Sequence, residues 1–338
     1  METPVLSLRN DSESNAPQLE VVVPLLNEAE IISVLHARIS QACNLTGFTW
    51  RVIYVDDGSE DETSQLLEEL IQQDEPVELV RLSRNFGQPA AIVAGLSRSV
   101  ARRVVLMDGD LQDPPELIPK LVAMADDGND VVIARRTARQ ESSRTRRWMF
   151  TTFHRLFQSL SDIDIPTNCG TYCLMSRRAV QEILQMPESH RFFPGLRSWV
   201  GFRQGFVDFE RPQRIGSEPR QSIGRLFRYA GDALFGFSGR PVLWIGNAAM
   251  LCGLFSMGSF IAAVCVWIFS GFSVGVAGGL LGGALAGIAS VQLMATAYLA
   301  ELARRIYDQS KQRPIHVIDQ ISGTGRIAGG NRKQAKAA

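Results

Sequence analysis

The sequence predicts a mostly parallel, doubly wound α/β domain followed by an amphipathic interface helix and two transmembrane helices. Three observations predict it. Short apolar runs alternate with amphipathic stretches from about residue 18 to 135, and each run ends in polar or acidic residues. No Asp, Glu, Lys or Arg occurs in the sixty residues from Pro241 to Ala300. Apolar strands alternating with helices indicate a parallel sheet covered on both faces. Because about a quarter of a globular chain is normally charged, an uncharged block of that length is not an ordinary soluble surface.

The elements follow in order. Leu19–Pro24 reads as the first strand and Ala29–Cys43 as its helix. Trp50–Asp56 and Asp61–Gln73 repeat the unit, with Ser59 or Asp61 able to cap the helix. Val77–Leu82 with Gln88–Val100 comes next, then Val104–Asp108 with Glu116–Asp127, then Val131–Arg135 as the last core strand. Pro114-Pro115 forces a turn before the helix at Glu116. The glycine-rich dinucleotide fingerprint is absent after the first strand, which argues against a dinucleotide enzyme.

The polar strand ends carry the chemistry. They are Asn27-Glu28, Asp56-Asp57-Gly58-Ser59, Arg84-Asn85-Phe86-Gly87 and Asp108-Gly109-Asp110. Ligands of open α/β sheets bind at the carboxyl ends of strands, so these four ends line one crevice. A carboxylate at the second end can hydrogen-bond a base or ribose. Alternate residues of an extended segment point the same way, so Asp108 and Asp110 face one site. Two hard oxygen ligands there suit Mg²⁺ or Mn²⁺ shared with a diphosphate.

The uncharged block is long enough for two spans of roughly 20 residues. They fall near Pro241–Phe269 and Val274–Ala300, joined by Ser270-Gly271-Phe272-Ser273. Arg211, Arg214, Arg220, Arg225, Arg228 and Arg240 precede the first; Arg304, Arg305, Lys311 and Arg313 follow the second. The positive-inside rule then puts the catalytic part and both termini in the cytoplasm. Ser222–Phe237 has apolar residues at helical spacing with arginines between, the pattern of an in-plane interface helix. The expected organisation is a disordered terminus (1–17), the α/β domain (18–220), the interface helix (221–240), the hairpin (241–302) and a basic tail (303–338). That tail meets anionic headgroups or is simply solvated. Glycine and alanine in the second span permit close helix approach and a homo-oligomer. Lys and Arg together number 35, as do Asp and Glu, so no nucleic-acid partner is expected. The five cysteines agree with a reducing compartment, and their spacing does not suggest zinc.

Pro24-x-x-Asn27-Glu28, Asp56-Asp57-Gly58-Ser59, Arg84-Asn85-Phe86-Gly87 and Asp108-Gly109-Asp110-Leu111-Gln112-Asp113-Pro114-Pro115-Glu116 together resemble the family-two glycosyltransferases. More narrowly, the chain resembles the polyprenyl-phosphate glycosyltransferases, the group of dolichyl-phosphate mannose synthase and the bactoprenol glucosyl transferases. The resemblance runs from about Val21 past Ala300. It implies a GT-A catalytic domain, a nucleotide-diphosphate sugar donor (UDP- or GDP-) and a divalent metal, Mg²⁺ or Mn²⁺. Pro24, Asn27, Glu28, Asp56, Asp57, Asn85 and Gly87 would then hold the nucleotide. Asp108 and Asp110, with Gln112 nearby, would bind metal and diphosphate. The implied location is the bacterial inner membrane.

Arg135, Arg136, Arg139, Arg144, Arg146 and Arg147 cluster after the last predicted core strand, where guanidinium groups suit a phosphate acceptor. Arg139-x-Glu141-Ser142 resembles the family's acceptor loop, and Arg135, Arg139 and Arg144 are the candidates for the acceptor phosphate. His154 reads as a packing residue and not a catalyst. One departure stands out. Where the family commonly reads Gly-Asp-Phe-Arg-Leu, this chain has Gly170-Thr171-Tyr172-Cys173-Leu174. Thr171 thus stands at an acidic position and is expected to contact a sugar hydroxyl. The expected activity is inverting transfer of a sugar to a polyprenyl (undecaprenyl or dolichyl) phosphate. The alternatives are a non-catalytic nucleotide-sugar-binding membrane protein and a polysaccharide synthase.

Overall fold

The predicted apolar runs form the central strands of an eight-stranded sheet. The computed structural model describes residues 16–137, 166, 168–186, 188, 192–210, 240–270, 274–311, 313–323 and 325–328. Strand β1 (Leu19–Leu25) leads through a single 3-10 turn (Ala29–Ile31) into α1 (Ile32–Leu45). Then come β2 (Trp50–Asp56), α2 (Thr63–Gln72), β3 (Val77–Leu82), α3 (Gln88–Arg98) and β4 (Arg103–Leu106). Pro114-Pro115 opens a 3-10 turn (Pro115–Leu117) before α4 (Ile118–Asp126), and β5 (Val131–Arg136) follows. The N-cap position of α2 falls on Glu62, which makes no side-chain cap bond; Asp61, one residue earlier, accepts the Thr63 N–H on its Oδ1 at 3.0 Å. The Ser59 hydroxyl instead accepts from Asn27.

The sheet does not end at β5. Beyond it lie β6 (Cys169–Ser176), α5 (Arg177–Gln185), α6 (Phe193–Trp199) and β7 (Gln204–Phe209). The strand order is β7-β5-β6-β4-β1-β2-β3-β8. Strand β6 runs antiparallel to both β4 and β5, whereas β1, β2, β3 and β4 pair in parallel. The expectation of β5 as the last core strand is therefore corrected. Strand β6 opens on Cys169, Gly170 and Thr171, so its first half carries little of the apolar character that marks β1 to β5.

The last strand, β8 (Ile318–Gly323), lies within the segment expected as a basic tail. It pairs antiparallel with β3 and closes that edge of the sheet. Ala328 then bridges to Trp50. Its residues are mostly exposed, so no burial pattern announces it.

Both faces of the sheet are covered. One core joins Val21, Val23, Tyr54 and Leu79 to Leu35 and Ile39 of α1, Leu67 of α2 and Leu121 of α4. The other joins Val22, Ile53 and Leu106 to Ile92 and Leu96 of α3 and Val180 and Ile183 of α5. Helix α3 lies close on the strands because Gly95 faces them. A Cβ there would sit 2.4 Å from Val22 Cγ1 and 2.9 Å from Val55 Cγ2. Both neighbours are β-branched and stiff. Gly95→Ala should therefore destabilise the protein by about 1–3 kcal/mol, the range for overpacking. Thermal unfolding checks this, and an unchanged midpoint would show that the strands give way freely.

The second compact unit is a helical hairpin, α7 (Arg240–Ser270) and α8 (Val274–Ser310). Its stretches Met250–Phe269 and Leu281–Asp308 are long and apolar enough to cross a membrane. Leu251, Phe255, Trp267, Phe269 and Leu293 are exposed along it. Helix α8 continues past Ala300, the expected end of the second span. Glu301 pairs with Arg304 and Arg305, and Asp308 with Arg304 and Lys311, at helical spacing. Such pairs support a helix through a charged segment. The predicted interface helix, Ser222–Phe237, lies outside the described residues.

Candidate active site

The ends of β1, β2 and β3 are tied into one frame by short side chains. After β1 the backbone turns through Asn27 at φ 54°, a conformation asparagine tolerates better than most residues. The Asn27 N–H donates to Ser59 Oγ at 3.0 Å, and Asn27 Oδ1 accepts the Glu60 N–H at 2.8 Å. The Glu28 N–H donates to Thr63 Oγ1 at 3.0 Å and the Ala29 N–H to Asp61 Oδ2 at 3.2 Å. Burial pushes the Asp61 carboxyl up. Hydrogen bonds from Thr63 and Ala29 outweigh it and leave Asp61 below the usual carboxylate range.

Asp56 is fully buried and closes its own turn. One oxygen accepts the Ser59 N–H at 2.9 Å and the other accepts the Ser64 hydroxyl. Asp57 reaches across to the end of β3. Its oxygens accept the Phe86 N–H at 2.8 Å and the Gly87 N–H at 2.9 Å. Burial pushes the Asp57 carboxyl above its ordinary value against the pull of those two N–H groups. The carboxylates read as nucleotide ligands from sequence thus act as brackets for the crevice backbone. Asn85 is exposed beside them, and the Arg84 guanidinium lies 4.1 Å from the centre of the Phe86 ring.

Gly58 makes that contact possible. Its φ is +72°, and a Cβ there would lie 2.6 Å from the Arg84 carbonyl carbon and 2.7 Å from the Asn85 nitrogen.

Asp108 and Asp110 lie just past β4, both part-buried. Glycine between them lets the turn pack on β1: a Cβ on Gly109 would meet the tip of Leu25, Cδ2, at 2.3 Å, and that side chain would have to shift. Asp108 Oδ1 accepts from Gln88 Nε2 at 2.8 Å and from Thr171 Oγ1 at 2.8 Å. Asp110 Oδ1 accepts the Gln112 N–H at 3.1 Å. Behind them Asp113 is fully buried, and its Oδ2 accepts the Asp108 N–H at 3.2 Å. Burial, with Asp108 close by, pushes the Asp113 carboxyl up to about 7 against the pull of Arg136. The Tyr172 hydroxyl donates to the Pro114 carbonyl at 2.9 Å and fastens this loop to β6.

Three residues that build the site, Gln88, Asp113 and Asp208, carry no site role in the sequence reading. Gln88 opens α3 directly after a noted motif, so its position was the available signal. Asp113 was quoted within the Asp108–Glu116 string but given no role of its own. Asp208 belongs to β7, which carried no strand signal. Thr171, expected from sequence to contact a sugar hydroxyl, donates in the structure to Asp108. Arg135 forms a forked ion pair with Asp208 at 2.6 and 3.0 Å, so a phosphate at Arg135 would have to displace it. Arg136 lies 3.8 Å from Asp113. Arg139, Arg144, Arg146, Arg147, Phe153 and His154 lie outside the described residues.

Among the described residues no group of three or more His, Cys, Asp or Glu could hold a metal alone. A metal shared with a substrate diphosphate needs only one or two protein carboxylates, because phosphate and water supply the rest. Asp108 and Asp110 meet that requirement in residue type and placement.

Residues 20–184 match the model of glycosyl transferase family 2. A glycosyltransferase of Synechocystis sp., sll0501, is 34% identical over 310 residues, spanning 90% of this chain and 96% of that protein. The chain belongs to the family-two glycosyltransferases. The bactoprenol glucosyl transferase of Shigella phage SfV is 30% identical over 308 residues, 89% of this chain and 98% of that one. Among solved structures, the mannosyltransferase PcManGT of Pyrobaculum calidifontis, in complex with GDP-Man and Mn²⁺, is similar over 89% of this chain and 85% of that one. Their identity is 16% and the TM-score 0.42. The mixed sheet and the family membership agree with the expected GT-A domain, and the chain is a glycosyltransferase.

Proposed function

We propose that this glycosyltransferase moves a sugar, with inversion, from a nucleotide-diphosphate sugar to a polyprenyl phosphate at the cytoplasmic face of a membrane. The observation that carries this reading is the Asp108–Gly109–Asp110 turn, held at the crevice by Gln88 and Thr171. The nearly full-length likeness to a bactoprenol glucosyl transferase supports the lipid acceptor. Two helices able to cross a bilayer support the membrane location.

Asp108 and Asp110 would hold Mg²⁺ or Mn²⁺, which when bound neutralises charge on the departing diphosphate. The frame of Asn27, Asp56, Asp57, Ser59 and Gly87 keeps the crevice backbone rigid for the nucleotide. An oxygen of the acceptor phosphate attacks the anomeric carbon, and the nucleotide diphosphate leaves with the electron pair of the broken C–O bond. A phosphate monoester loses its second proton near pH 6, so the acceptor is ionised at neutral pH. A general base, worth about 10²–10⁴-fold elsewhere, is then dispensable. That accounts for threonine at the position where the family commonly has an acid.

Arginines of the 135–147 segment would hold the acceptor phosphate. Arg139→Ala is expected to raise the KM for undecaprenyl phosphate about tenfold or more with a smaller change in kcat. This corresponds to one lost charge-assisted hydrogen bond of about 1.5–3 kcal/mol. Steady-state kinetics with varied lipid measures it, and an unchanged KM would remove Arg139 from the acceptor site. NMR of the anomeric proton of the product tests inversion.

A further inference from the structure

Arg197 lies in α6, within a segment given no role above. Its side chain is fully buried. Nη1 donates to the Gly170 carbonyl at 3.1 Å, while among the described residues Nε and Nη2 have no hydrogen-bonding oxygen or nitrogen. Among the described residues no carboxylate pairs with it. The Cys173 thiol stands beside it as a weak hydrogen-bond partner, but burial pushes that thiol up, so it offers no compensating negative charge. An unpaired buried cation is costly, and an apolar side chain of similar size would normally be as stable or more so.

We propose that Arg197 is a positioning residue for the Asp108 carboxylate, acting from α6 through the Gly170 carbonyl and the Thr171 hydroxyl. The Gly170 carbonyl and the Thr171 N–H belong to one planar peptide unit. Fixing that carbonyl fixes the plane from which the Thr171 side chain leaves, and Thr171 Oγ1 donates to Asp108 Oδ1 at 2.8 Å. The sheet alone does not hold this peptide on both sides. The β4 pairing ends at Leu106 opposite Cys173, and the β5 pairing is irregular between Ile133 and Arg135, opposite this stretch. Gly170 is also crowded, since a Cβ there would lie 3.0 Å from Arg136 Nη2. The inference rests on the reading that Asp108 belongs to the metal pair.

The test uses the full chain in detergent and reads Mn²⁺ affinity by calorimetry with saturating UDP and, separately, GDP. Groups that orient a metal ligand typically change affinity about 10–100-fold when removed. Arg197→Met and Thr171→Val should each weaken Mn²⁺ about tenfold. The double variant should be no weaker than the poorer single variant, because both act on one hydrogen bond. The unfolding midpoint of Arg197→Met should equal or exceed that of the parent. Unchanged Mn²⁺ affinity in Arg197→Met, losses that multiply in the double variant, or a loss accompanied by a lowered midpoint would each overturn the proposal. Asp108→Asn separates the two levels. If it leaves Mn²⁺ affinity unchanged, the metal reading itself fails; if it weakens Mn²⁺ while Arg197→Met does not, only the positioning role fails.

Discussion

Asp110→Ala should lose glycosyl transfer by about 10³-fold or more. Metal neutralisation of a leaving diphosphate is worth several kcal/mol, and each 1.36 kcal/mol is a factor of about ten in rate. The effect should appear in kcat and in Mn²⁺ dependence together, since Asp110 lies in a loop away from the Asp57 bracket. Folding should be preserved. Asp110 is only part-buried, and the bond it accepts from the Gln112 N–H at 3.1 Å closes a local turn. Transfer assays beside circular dichroism and thermal unfolding measure both sides. A folded Asp110→Ala protein with near-normal transfer would remove Asp110 from the metal site.

Gly58→Ala should produce the second large effect, on stability and nucleotide affinity at once. The new methyl would need the space of the Arg84 carbonyl carbon, 2.6 Å away, and backbone cannot swing aside as a side-chain tip can. The 84–87 loop must move, and with it the Phe86 and Gly87 N–H groups that Asp57 holds. Left-handed backbone adds about 1–2 kcal/mol for a non-glycine residue, and each hydrogen bond to a charged group is worth about 1.5–3 kcal/mol. A loss of about 3 kcal/mol or more follows. For a domain of this size that lowers the unfolding midpoint by roughly 6–12 °C. Gly325 provides the control. It too has positive φ, +69°, but nothing lies within 4 Å of a Cβ there. Gly325→Ala should show only the smaller backbone penalty. Equal losses in the two variants would mean that the contact between the second and third motifs contributes nothing.

The parts legible in the sequence and the parts hidden in it divide by physical cause. Strands β1 to β5 are mostly apolar because helices bury them from both sides, and burial on two faces leaves a strong local signal. Strand β6 begins with Cys169, Gly170 and Thr171, which serve the site and not the core, so its first half does not read as a strand. Strand β8 pairs only at an exposed edge, with a partner far away in sequence. Within the site, the carboxylates at strand ends were legible as chemistry. The pairings were not, because Gln88 and Thr171 reach Asp108, and Asp208 reaches Arg135, only through the folded sheet. The Cys173 departure shows the same limit. Sequence reveals that the arginine of the related pattern is missing there, but only the fold brings the guanidinium of Arg197 beside that thiol.

The proposed activity is metal-dependent transfer of a sugar onto a lipid phosphate. Its most direct test incubates the purified chain in detergent with undecaprenyl phosphate, Mg²⁺ or Mn²⁺, and a panel of radiolabelled UDP- and GDP-sugars. One chelator-sensitive glycolipid from one donor is expected, absent when the lipid phosphate is left out. Nucleotide binding that depends on metal, with no glycolipid from any donor, would contradict it and favour a binding role without transfer.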